Sequence, residues 1–171
     1  MARLFDVPLK LPDRYYAPIG ETLYRWALLE FQIQAVIWRA LGINNKQGRI
    51  LTVGMDARVL VGILRTLMRY AAANKIEARM MKSLADDTQN LADSRNILAH
   101  GAWMYPIGGN PSDVYLHYMK KAHERIVPFA QKYRPRQITA TATKIRKLNE
   151  RAGRLIKRIE KRQPEMPPEF S

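Results

Sequence analysis

Arg95, Asn96 and His100 are the residues whose types and spacing carry chemistry, in the run Asp93-Ser94-Arg95-Asn96-Ile97-Leu98-Ala99-His100-Gly101-Ala102-Trp103. An arginine offers a planar fork that fits phosphate oxygens and stays charged. Histidine is the side chain whose ordinary titration lies nearest neutrality, so it suits a general base or acid. An asparagine beside them can fix an imidazole tautomer or hydrogen-bond a ribose. Ile76, Met80, Leu84, Leu91 and Leu98 recur at spacings of four or seven and predict one apolar stripe of a helix. Arg95 falls on that stripe, where a guanidinium needs a partner because it is costly to desolvate alone. Asn96 and His100, four apart, share a helix face. Arg95 and His100 point about 140° apart, at ~100° per residue. They can act together through the long arginine, through a bend at Gly101, or across a dimer axis.

A purely architectural role is compatible with the same residues. Arg95 can tie helices together by bonding to carbonyls or to an acid such as Asp93 or Glu30. His100 can simply be a helix-terminal histidine favoured by the dipole.

Arg95-Asn96-Ile97-Leu98-Ala99-His100-Gly101 resembles the arginine–polar–three–histidine signature of the HEPN superfamily, helical bundles that include many metal-independent endoribonucleases. Arg95, Asn96 and His100 fit that signature without departure, and the helical layout extends the likeness loosely over residues 18–162. The resemblance implies a homodimer whose two motifs share one cleft. It also implies RNA cleavage by the substrate's own 2′-hydroxyl, leaving a 2′,3′-cyclic phosphate and needing neither metal nor cofactor. Toxin or phage-defence roles, with an antitoxin or regulatory protein as partner, belong to the same implication. A non-catalytic HEPN-like dimer that binds nucleic acid or protein is the alternative, because a fold does not carry its chemistry with it.

Composition sets the limits around the motif. At 171 residues and 47% apolar content, the chain is one ordinary domain with a proper core. It has no cysteine, which excludes disulfides, thiolate metal sites and thiol nucleophiles. Twenty-nine basic against fifteen acidic residues give +14, an excess that favours polyanions such as nucleic acid. The N-terminus does not read as a signal peptide, and Glu30, Gln32 and Gln34 break the most apolar segment. A cytoplasmic protein without a membrane span is expected.

The elements that must position the motif read as an all-α bundle of four or five helices, with a short hairpin-like excursion after the third. Residues 1–17 read as an extended arm. Residues 20–41 form the first helix, wet along Arg25, Gln32 and Arg39 and apolar elsewhere, as a helix buried from two sides would be. One of those sides is expected to meet another subunit. Gly42 ends it, and Asn44-Asn45-Lys46-Gln47-Gly48 reads as a turn. Asp56 caps a second helix to about Ala73, burying Val59, Ile63, Leu67 and Tyr70. The third runs from about Lys75 into the motif, with Gly101 as its C′ residue. Trp103–Pro106 and Val114–Tyr118 flank Gly108-Gly109-Asn110-Pro111 as two short β-favouring runs. Residues 119–130 read as helical up to Pro128.

The last helix follows Ile145, Leu148, Ala152, Leu155, Ile156 and Ile159, with Thr139, Thr141 and Thr143 as candidate caps. From Lys144 to Arg162 it holds nine basic and two acidic residues, a net +7. Pro164, Pro167 and Pro168 mark residues 163–171 as a disordered tail.

Further binding residues complete the set. Arg58, Arg65 and Arg69 form a candidate phosphate rail on the second helix, although solvated surface explains such stripes more often. Trp103, Tyr105, Tyr115 and Tyr118 can stack bases, or pack the excursion onto the bundle. His117, His123 and Glu124 lack a recognisable metal spacing and read as surface groups. No Gly-rich phosphate loop, serine nucleophile motif or paired catalytic carboxylate stands out.

Overall fold

The computed structural model describes residues 5–6, 10–107, 110, 113–122 and 125–162. Among them the chain is mostly helical, with five helices and four strands. In order these are β1 (Phe5–Asp6), α1 (Asp13–Leu41), α2 (Asn45–Thr52), α3 (Ala57–Tyr70), α4 (Lys75–His100), β2 (Ala102–Pro106), β3 (Tyr115–Ala122), β4 (Arg125–Lys132) and α5 (Pro135–Arg162). The expectation of an all-α chain is therefore corrected. The strands form one antiparallel sheet in the order β1-β2-β3-β4. No helix among the described residues is long and apolar enough to cross a membrane.

The structure divides into two units, residues 25–92 with 144–171 and residues 1–24 with 93–143. The first has a helical core of Trp26, Leu29, Ile33, Ile37, Leu60, Leu64, Met81, Leu84, Ile145, Leu155 and Ile159, among others. Apolar residues on one stripe of each helix are what place these side chains together. Its helix starts are well capped. Asn44 and Gln47 form a reciprocal capping box on α2, and Asp56 accepts from the Val59 amide at 3.0 Å. Asn74 Oδ1 accepts from the Ile76 and Glu77 amides at the start of α4. Arg151 holds Asp87 at 2.6 Å, and Asn149 Nδ2 donates to the Arg25 carbonyl.

Several local expectations shift in this unit. The turn expected at 44–48 instead opens α2, because Asn44 followed three residues later by Gln47 is a helix start. On α3 the buried face is Ala57, Leu60, Val61, Leu64 and Leu67, while Val59 is 46% and Tyr70 83% exposed. Of the expected stripe, Leu67 is buried and Ile63 packs partly buried on the core, and only its two ends, Val59 and Tyr70, face solvent. Ile76, expected on the apolar stripe of α4, is exposed.

The second unit has its own core of Leu11, Tyr15, Leu98, Val114, Leu116 and Ile138, with Ile97, Trp103, Tyr105 and Tyr133 packed on it. Burying Leu11 and Tyr15 draws α1 back to Asp13, seven residues before the expected start and through Pro18. The chain thus turns helical within the segment expected to be an extended arm. β2 and β3 pair antiparallel with Ala102 opposite His117 and Trp103 opposite Leu116. β3 and β4 pair from Tyr115–Lys132 to Ala122–Arg125, so residues 119–122 and 125–130 are strand rather than helix. Pro128 sits on β4, the sheet's last strand, where a missing amide is tolerated. α5 starts at Pro135, ahead of the threonines expected to cap it. Those hydroxyls donate back to carbonyls four residues earlier, as Thr143 does to Thr139 at 2.9 Å. The tail expected at 163–171 lies outside the described residues.

Candidate active site

α4 carries Arg95, Asn96 and His100 through its last two turns and ends at His100. Gly101 then turns the chain directly into β2, its amide donating to the Ile97 carbonyl at 2.9 Å. It does not take the left-handed conformation common at such ends; positive φ occurs at Gly42 and Gly54. Gly101 is needed for a different reason. A Cβ there would stand 2.6 Å from the Ile97 carbonyl oxygen and 2.6 Å from Leu116 Cδ1. Only glycine lets β3 close up against the helix end.

That close approach shapes a cavity of about 550 Å³ within this unit, lined by Asn96, Ile97, His100, Gly101, Ala102, His117, Tyr118 and Met119. Asn96 and His100 are both exposed to solvent. Arg95 does not line the cavity. It is half-buried, and its Nη1 donates to Asn96 Oδ1 at 2.9 Å. The guanidinium therefore fixes an amide that does line it, leaving the Asn96 NH2 group oriented by its partner. Asn96 joins the carbonyls and the acids such as Asp93 or Glu30 expected as partners of this guanidinium.

His117 is the residue that sequence reasoning passed over as a surface group. It arrives through the strand register, opposite Ala102, and no helical spacing could have placed it. The period-two alternation around the buried Leu116 is the signal that could have found it. His123 and Glu124 lie outside the described residues. Among the described residues, no three His, Asp or Glu side chains group as ligands for a metal ion.

The expected binding residues divide. Trp103 packs edge-on against Tyr15 and Tyr133, with ring centroids 5.7 and 6.1 Å away, and Tyr105 packs on the same core. Both serve packing. Arg58, Arg65 and Arg69 belong to the other unit, on α3. Arg65 is held by Asp86 at 3.0 Å, which interrupts the expected rail, while Arg58 and Arg69 are exposed.

The basic surface that sequence counting located on the last helix is more regular than expected. Lys144, Lys147, Arg151, Arg154, Arg158 and Lys161 repeat at intervals of three and four along one stripe of α5, and all but Arg151 are exposed. At ~1.5 Å per residue the stripe is about 25 Å long.

The chain matches no protein-family model, no curated protein and no solved structure at a significant level.

Proposed function

We propose that the protein is a metal-independent endoribonuclease of the HEPN type, with Arg95, Asn96 and His100 as its catalytic motif. The observation that carries this reading is that Asn96 and His100 line one solvent-reachable cavity while Arg95 grips Asn96 from behind. In this reading the RNA 2′-hydroxyl attacks the adjacent phosphorus, His100 takes the proton of that hydroxyl, and the Asn96 NH2 hydrogen-bonds the ribose that carries it. Arg95 polarises that amide and so strengthens it as a donor. The net charge of +14 draws the polyanion to the protein. A cytoplasmic homodimer acting as a toxin or defence effector, restrained by an antitoxin or regulator, goes with the resemblance.

RNA cleavage in the presence of a chelator by wild type, Arg95→Ala and His100→Ala tests the reading. Loss in both variants with folding intact supports it; an inactive wild type removes it.

A non-catalytic nucleic-acid-binding protein is the second reading, favoured by the exposed basic stripe of α5. Retention of RNA by an inactive protein, weakening steeply with salt, would select it.

A further inference from the structure

We infer that His117 is the second proton-transfer group of this site, supplied by the same chain and acting as the general acid. The inference rests on the endoribonuclease reading and extends it, since the motif alone offers one imidazole per chain.

Transesterification at an RNA phosphodiester moves two protons. As the 2′-oxygen bonds to phosphorus, its proton goes to a base. As the bond from phosphorus to the 5′-oxygen breaks, that oxygen takes a proton from an acid. The products are a 2′,3′-cyclic phosphate and a 5′-hydroxyl, and no oxidant, reductant or further reactant is consumed. One histidine cannot supply the neutral base and the protonated acid at the same moment of that step. A cavity with two imidazoles can.

His100 and His117 meet that requirement from different elements. His100 ends α4, and His117 stands on β3 opposite Ala102, two residues beyond His100 in the chain. Both line the same cavity. Their separate supports let each imidazole keep its own place while the phosphate lies between them. Asn96 shares a helix face with His100, and its NH2 can engage the ribose, which puts the 2′-oxygen on the α4 side. His117 is left to serve the departing 5′-oxygen. Tyr118 and Met119 extend the wall beyond His117, where the nucleoside that leaves would rest. Gly101 is part of the same device, because a side chain there would push β3 and His117 away from the helix end.

The test compares wild type, His100→Ala, His117→Ala and His117→Gln on two substrates. One is an RNA oligonucleotide; the other is a uridine 3′-phosphate ester of 4-nitrophenol, whose leaving group needs no proton. Loss of a general acid costs about 10²–10⁴-fold on RNA. Both His117 variants should show that loss on RNA and keep near wild-type turnover of the nitrophenyl ester. His100→Ala should lose both substrates. The RNA rate should follow a bell-shaped pH profile in wild type, with one limb missing in His117→Gln. Retained ester turnover also reports that the variants are folded. RNA cleavage by His117→Ala at the wild-type rate overturns the inference and leaves the endoribonuclease reading standing. So does equal loss of both substrates in a His117→Gln variant that melts like wild type. A wild type that cleaves neither substrate removes the endoribonuclease reading itself, and His117 with it.

Discussion

Arg95 Nη1 donates to Asn96 Oδ1 across 2.9 Å, so two residues adjacent in sequence form one unit with the amide facing the cavity. The arginine lies on the half-buried side of α4 and positions the asparagine. Both halves serve one amide at the cavity, and effects of groups coupled in this way are not additive. Arg95→Ala and Asn96→Ala should each slow RNA cleavage on the order of 10²-fold, the scale of a misplaced reacting group. The double variant should be no slower than the worse single one. Single-turnover rates for the three proteins check this, and multiplication of the two losses would refute the coupling.

Gly101→Ala addresses the junction between helix and sheet. The new methyl must displace the Ile97 carbonyl or the buried Leu116 side chain, and overpacking of this kind costs about 1–3 kcal/mol. Stability to urea should fall by that amount, and cleavage should fall with it because β3 carries His117. Gly62→Ala provides the contrast: nothing lies within 4 Å of a Cβ there, so stability should hold or rise slightly, as helix propensity favours alanine.

The parts of the molecule legible in the sequence were those written in local periodicity and capping. Asp56 announced α3, the apolar spacing from Ile145 to Ile159 announced α5, and Trp103–Pro106 with Val114–Tyr118 announced a strand pair. Long-range burial governed what was not legible. Nothing near Asp13 signals a helix that runs through Pro18; Leu11 and Tyr15 do so only once the second core exists. The strand character of residues 119–122 and 125–130 likewise comes from pairing with a neighbour rather than from their own pattern. At the site, Arg95, Asn96 and His100 stood out by type and spacing. His117 did not, because register across a sheet brings it to the cavity. The stacking role considered for Trp103 and Tyr105 gave way to packing, which a strand's inward face decides.

Glu77 offers a stability test away from the cavity. Its side chain is buried, with Oε2 accepting from the Ala73 amide at 3.1 Å and lying 3.5 Å from Arg162 Nη2. That carboxylate joins the start of α4 to the end of α5 within one unit. Glu77→Ala leaves the part-buried Ala73 amide without its acceptor and takes the carboxylate away from Arg162, whose Nη2 keeps the Ala71 carbonyl at 3.2 Å, which should cost about 1–3 kcal/mol. Glu77→Gln keeps a carbonyl for the Ala73 amide and should cost less. Urea denaturation of both variants gives the comparison, and equal losses would show that charge alone matters there.

Asp86 links charge at the surface to polyanion binding. Hydrogen bonds from Lys82 Nζ at 2.7 Å and Arg65 Nη2 at 3.0 Å hold its carboxyl below the ordinary value of 3.8. A carboxyl depressed in the folded state stabilises the fold above its unfolded pKa, and that contribution vanishes as pH falls through the folded pKa. Asp86→Asn should therefore flatten part of the stability loss seen on acidification below about pH 4, where acid protonates such groups. The same substitution releases Arg65 and Lys82 from their anion. If α3 meets phosphates through Arg58, Arg65 and Arg69, the variant should bind RNA more tightly at neutral pH. Its log–log salt dependence should then steepen by about 0.7–0.9 for each additional phosphate neutralised. An unchanged slope would confine the polyanion surface to other basic residues, among which the exposed stripe of α5 is the longest.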